Sequence, residues 1–244
     1  MNAVAVLGGN AGERHDAAAV GIGLWVFMGV VTTLFSLFIS AYVMRMDASD
    51  WSVIAMPWQL WLSTALLLAG SATLQLASRA ASRATMSAHW APARTLLLAG
   101  GACALAFLAV QLWAWQALLA IRVVPAGNPA ASFFYLLTAL HGLHVAGGLV
   151  AWGLTARGFL RDGGDVHEVT SVGAIVRSAG PPQASTAPSG GSAAHVVASV
   201  GATSHAWRIA LCARYWHFLL ALWLLLFATL GGLTPEVVRF ICGN

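Results

Sequence analysis

Apolar residues dominate five stretches of the chain, and shorter polar segments rich in arginine, glycine and proline separate them. A hydrocarbon core of about 30 Å takes roughly 20 helical residues. By that measure the spans run from about Ala17 to Met44, Met56 to Ala77, Thr95 to Ile121, Ala130 to Leu154 and Ile209 to Leu233. Pro57, Pro92 and Pro129 stand at or close to three of the starts, where a missing N–H costs little. The pattern predicts an all-α membrane protein, a bundle of five transmembrane helices. Residues 1–16 form an N-terminal tail, 17–162 the first four helices, 163–204 a polar insertion, and 205–244 the fifth helix with a short tail. Within Ser178–Ser204, 22 of 27 residues are Gly, Ala, Ser, Thr or Pro. So little apolar surface does not offset the entropy of ordering, which predicts a flexible insertion. No internal repeat is visible.

Composition narrows the class further. The chain is 59% hydrophobic and 8% charged, against about 25% charged residues in an average soluble domain. All 12 basic residues are arginines. Nine of them (14, 79, 83, 94, 157, 161, 177, 208 and 214) collect on one side of the predicted spans, and Arg45, Arg122 and Arg239 on the other. The positive-inside rule then predicts a cytoplasmic N-terminus and insertion, and a periplasmic C-terminus. The same rule accounts for the basic pI of about 9.5 without nucleic acid. The N-terminus, with Glu13, Arg14 and Asp16, does not read as a signal peptide. Cys103, Cys212 and Cys242 have no metal-ligand spacing.

Candidate chemistry sits in the fourth span, from Ser132 to Gly148. His141 and His144 lie three residues apart near its middle, nearly one turn, which predicts that both rings leave the same side of the helix. Gly142 with Ala146, and Gly147 with Ala151, repeat at the four-residue spacing that lets helices approach closely. An ionisable group inside a bilayer faces a protein interior or a functional partner. As metal ligands the pair would need further partners, and His217 is the other intramembrane histidine. As haem ligands, one of them would pair with His217 across two helices. As structural residues they would hydrogen-bond neighbouring helices, with Thr138 and Tyr135 near on the same chain. No carboxylate lies in any span, so the structural reading is preferred: His141, His144 and His217 fix the fourth and fifth helices through interhelical hydrogen bonds. Gln111, a lone membrane amide, and Ser63, Thr64, Ser71 and Thr73 read as helix contacts of the same kind. Tyr215 and Trp216 read as an interfacial anchor or an interhelical contact. His167, His195 and His205 are too scattered to form a site. There is no dense histidine set, no Ser/His/Asp group and no phosphate loop, so no catalytic or cofactor-binding residue is assigned.

Two of these stretches carry a family resemblance. Thr138-Ala139-Leu140-His141-Gly142-Leu143-His144-Val145 resembles the Thr-Gly-Phe-His-Gly-x-His-Val signature of subunit III of haem–copper (cytochrome c or quinol) oxidases. Tyr215-Trp216-His217-Phe218, followed by Trp223 and Phe227, resembles that family's last-helix signature, Tyr-Trp-His-Phe-Val-Asp-x-x-Trp. Trp25 to Met28, then Phe35, Phe38, Ala41 and Tyr42, match the spacing of its glutamate-bearing helix. Gln111 to Trp115 resembles a Gln-x-x-Glu-Trp segment, and Ser63-Thr64 with Gly70-Ser71 its Asn-Thr…Ser-Ser helix. The resemblance covers the five spans in order and corresponds to the shorter bacterial form. It implies an accessory subunit of a respiratory oxidase in a bacterial inner membrane, without a cofactor of its own. By the same resemblance it packs on catalytic subunit I, with subunit II nearby, binds phospholipid and helps sustain turnover, while haem and copper belong to those partners. The departures share a direction: Val31, Ala114 and Leu220 stand where the family carries acids. Replacing buried carboxylates by apolar groups can leave a fold unharmed. A relative serving a nitric oxide reductase or another respiratory complex, and a small b-type cytochrome, are the alternative readings.

Overall fold

A computed structural model describes residues 2–46, 51–52, 54, 56–87, 90–124, 128–178 and 191–233. The chain is all-helical among these: α1 (Asn2–Arg45), α2 (Gln59–Ser87), α3 (Ala91–Ala120), α4 (Pro129–Ser178) and α5 (Gly191–Gly232). Each contains one segment long and apolar enough to cross a membrane: Ala18–Arg45, Gln59–Ala84, Ala91–Ala120, Pro129–Gly158 and His205–Gly232. The five membrane-length apolar helices expected from the hydrophobic pattern are therefore present.

Three helices are longer than the pattern suggests. α1 begins at Asn2, so the tail predicted over 1–16 belongs to the same helix as the first span. α4 continues to Ser178 and α5 starts at Gly191, so helix enters the expected insertion, 163–204, from both of its ends. Extending an existing helix carries no nucleation penalty. Val166, Val169, Val172 and Val176 recur every three or four residues beyond the fourth span, and alanine, the best helix former, supplies four of residues 191–204. Residues 179–190 lie outside the described chain, as do Arg239 and Cys242.

The molecule divides into two compact units. The first comprises Met1–Ala65, Phe107–Val145 and His217–Asn244. Its core is a cluster of Val31, Phe35, Leu137, Leu222 and Leu226, which joins α1, α4 and α5. Val31 and Phe35 are one turn apart, so α1 presents one narrow stripe to its neighbours and leaves Trp25, Val26, Leu34 and Leu37 exposed. The start of α4 is fixed from its own sequence: Asn128 precedes Pro129 and accepts a hydrogen bond from the Ala130 N–H at 3.0 Å, as an N-cap does. The same side chain donates to the Ser52 carbonyl at 2.8 Å and hydroxyl at 2.7 Å, tying the connector after α1 to the head of α4.

The end of α3 is less expected. Val123 N–H donates to the Leu118 carbonyl at 3.1 Å and Arg122 N–H to that of Leu119 at 3.0 Å. This is a Schellman closure, whose left-handed residue is ordinarily glycine; here it is Arg122, with φ 62°. An L-residue pays about 1–2 kcal/mol in that region, partly offset by the greater unfolded-state entropy of glycine. Arg122→Gly is accordingly expected to stabilise the protein by about 0.5–1 kcal/mol, a rise of roughly 1–4 °C in the thermal midpoint read by tryptophan fluorescence in detergent. An unchanged or lower midpoint would show that the arginine side chain compensates for its backbone.

The second unit comprises Leu66–Ala106 and Ala146–Trp216. Here small residues set the helix spacing. Leu67, Leu74, Ala77, Ala81 and Ala84 form the buried stripe of α2, and Leu97 and Ala104 that of α3. The Trp152 indole of α4 lies over Gly101 of α3 and donates through Nε1 to the Leu97 carbonyl at 2.8 Å. Lacking a hydrophobic driving force between helices in lipid, such close backbone approach lets dispersion hold them together.

Candidate functional site

The polar centre of the first unit is His141. It sits on the buried face of α4, 0% exposed. The Phe107 ring of α3 meets it edge-on at 5.8 Å and 84°, and the Trp223 indole of α5 lies tilted over it at 5.0 Å and 35°. Phe107 and Trp223 are themselves T-shaped at 5.2 Å. Trp223 is held from behind, since its Nε1–H donates to the Thr64 hydroxyl at 2.9 Å and that hydroxyl donates to the Leu60 carbonyl at 2.7 Å. One turn away, Trp115 Nε1–H donates to the Thr138 hydroxyl at 3.1 Å, which donates to the Phe134 carbonyl at 2.6 Å. Tyr135 stacks edge-on with Trp115 and donates to the Val123 carbonyl at 3.0 Å.

Around this ring cluster the hydroxyl and indole donors are committed, and two side chains are not. Neither ring nitrogen of His141 has a hydrogen-bond partner among the described residues, and neither amide atom of Gln111 has one. Gln111 is 3% exposed. Leaving a buried polar group unpaired costs about 1–3 kcal/mol.

The two histidines of the fourth span go to different neighbours. His144 is half-buried and faces α1, where Phe27 and Phe35 meet its ring at 6.0 and 5.7 Å. Its Nδ1 is 2.7 Å from the Leu140 carbonyl of its own helix; a carbonyl only accepts, so Nδ1 carries the proton. Val31 stands midway between Phe27 and Phe35 on the same stripe, in the apolar core. His217 is exposed on α5. Among the described residues no side chain or backbone group pairs with His141 directly, and ring contacts from α3 and α5 surround it. A three-residue step turns the second ring about 60° from the first on the helix, and the placement of α1 on one side and of α3 and α5 on the other gives the two rings different neighbours.

The remaining predicted residues distribute as follows. Tyr215 and Trp216 are buried, 8% and 1% exposed, within the second unit. Of the positions where an acid was expected from the resemblance, Val31 and Ala114 are buried and Leu220 half-buried. The hydroxyls of Ser63, Thr64 and Thr73 bond carbonyls three or four residues back in their own helix, and Thr64 in addition receives Trp223. Sequence reasoning missed the Trp223–Thr64 and Trp115–Thr138 pairs, because nothing in a helical period says which indole meets which hydroxyl. Among the described residues no three His, Cys, Asp or Glu side chains converge as metal ligands. A cavity of about 40 Å³ lies elsewhere in the first unit, lined by Tyr42, Trp51, Met56, Phe134 and Leu230 among others.

No family model matches the chain. A curated protein, the UDP-N-acetylglucosamine–N-acetylmuramyl-(pentapeptide) pyrophosphoryl-undecaprenol N-acetylglucosamine transferase of Polaromonas sp., is 89% identical to it over 27 residues. That likeness covers 11% of this chain and 7% of the transferase. A shared stretch of this length does not bear on the helical bundle or its histidines.

Proposed function

We propose that the chain is a divergent subunit III of a bacterial haem–copper oxidase, an accessory subunit with no catalytic residue of its own. The observation that carries the reading is one contact. His141 belongs to the first signature stretch and Trp223 follows the second, more than 80 positions later, yet their rings lie 5.0 Å apart in the core of one unit. That residues belonging to or following the two motifs meet in one core supports reading the motifs together. Two of the three positions where the family carries acids, Val31 and Ala114, are buried alanine and valine sites in the same unit.

In this reading the chain lies in the inner membrane with its N-terminus cytoplasmic and packs on the catalytic subunit, with the copper-binding subunit nearby. It holds phospholipid, and it supports assembly and sustained turnover. Oxygen reduction takes place on the haem and copper of the partners. The absence of acids from the spans also suits a relative serving a nitric oxide reductase, which keeps that complex as the second reading.

The test is to extract the tagged chain from its native membranes in mild detergent, then record a reduced-minus-oxidised spectrum beside a gel of the co-purifying proteins. The expected result is haem absorbance that arrives only with a large polytopic partner and a copper-containing subunit. A haem-bearing partner without copper would move the chain to the nitric oxide reductase reading. Haem on the isolated chain would make it a b-type cytochrome and overturn the proposal.

A further inference from the structure

We propose that His141 and Gln111 bind one internal water molecule between them, forming a buried hydrogen-bonded bridge from α4 to α3. The inference stands on the side chains of the first unit and does not depend on the oxidase reading.

The two residues lie at one level of the bundle. α3 and α4 are in register through two contacts, Phe107 with His141 and Trp115 with Thr138. Gln111 is one helical turn from both Phe107 and Trp115, so it shares their stripe and faces the α4 segment from Thr138 to His141. Both side chains are at least nine-tenths buried, and all four of their polar atoms lack a partner. The nearby groups are already used: the Trp223 and Trp115 indoles donate to Thr64 and Thr138, and those hydroxyls donate to backbone carbonyls. Of the other unmatched buried atoms, Gln59 Oε1 is at the start of α2 and Trp216 Nε1 belongs to the second unit, which leaves the imidazole and the amide on these segments of α4 and α3.

Their chemistry is complementary. A neutral imidazole offers one donor and one acceptor, and the amide two donors and one acceptor. The two make no hydrogen bond with each other, so what joins them must be small and must both donate and accept. Water does so, donating to the bare ring nitrogen and accepting from the amide N–H. Buried waters occur where polar groups are otherwise unsatisfied. An ion does not fit the same place, because no span contains a carboxylate to balance a cation, and Phe107 and Trp223 occupy the ring's flanks. Beside the Trp115–Thr138 hydrogen bond, the bridge would give α3 and α4 a second polar tie in this unit and so fix their relative rotation and height.

Solid-state NMR of the full-length chain in lipid vesicles tests this directly. In a sample carrying ¹³C-histidine and ¹⁵N-glycine, His141–Gly142 is the one adjacent pair in the sequence, so the residue is assigned without altering it. A water-edited experiment then reads magnetisation passing from water to the assigned ring. The expected result is transfer to the His141 ring despite its burial, reduced several-fold by Gln111→Leu. A dry His141 ring, or transfer unchanged in Gln111→Leu, would overturn the proposal. Thermal midpoints give a second reading: the drop in a Gln111→Leu/His141→Leu double variant should be smaller than the sum of the single drops by roughly 2–4 °C. Strict additivity would count against the bridge.

Discussion

Replacing Trp223 with alanine is expected to lower the thermal midpoint of the purified protein by roughly 6–20 °C, from a loss of about 3–5 kcal/mol. The indole is 1% exposed and touches three elements of its unit at once: His141 of α4, Phe107 of α3 and Thr64 of α2. In lipid the side chain gains little from avoiding water, so the loss is dominated by the unfilled volume and by unmade ring contacts. Trp223→Phe separates the contributions. It keeps most of the ring volume but removes the Nε1–H that reaches Thr64, and should cost about 1–2 kcal/mol beyond any repacking. The measurement is tryptophan fluorescence against temperature in detergent, with size exclusion to confirm monodispersity. If Trp223→Ala melts within 2 °C of the parent, the four-way ring and hydroxyl contact is not what holds these helices together.

The second large effect lies in the other unit. At Gly101 an added Cβ would stand 2.1–2.6 Å from three ring atoms of Trp152. That ring cannot simply swing aside, because Nε1 is anchored on the Leu97 carbonyl at 2.8 Å. Gly101→Val is therefore expected to destabilise by about 3 kcal/mol or more, and Gly101→Ala by about 1–3 kcal/mol. Both should be rescued when Trp152 is shortened: Gly101→Ala in a Trp152→Leu background should melt within a few degrees of Trp152→Leu alone. A Gly101→Ala protein as stable as the parent would mean that α3 and α4 slide apart at no cost. The rescue matters because it distinguishes a steric clash from a general intolerance of α3 to substitution.

How far the fold was legible depends on how local its cause is. The α4 start could be read from Asn128 and Pro129, since a cap and a fixed φ act within three residues. The five spans followed from hydrophobic length alone, which bilayer thickness dictates. The extension of α4 to Ser178 was hidden, because a weak helical preference becomes helix only when an adjoining span has already paid for nucleation. Arg122 in the left-handed region carried no sequence signal at all, as the cue for that conformation is glycine. At the candidate site, the importance of His141 and Gln111 could be inferred from their polarity in an apolar helix. Their separation from His144 could not, since a three-residue spacing is compatible with one shared neighbour or two different ones, and only the positions of α1, α3 and α5 decide.

The length of α4 has a mechanical meaning. Its apolar span ends at Gly158 while the helix runs on to Ser178, so the last 20 residues extend about 30 Å beyond the span at 1.5 Å per residue. A flexible segment of equal residue count would have an r.m.s. end-to-end distance of roughly 25 Å and would sample many shorter separations. A helix holds its tip at one distance. Anything recognised at that tip is met at a fixed standoff from the span, and inserting or deleting residues there would move and rotate the contact in steps of 1.5 Å and 100° instead of merely loosening a tether.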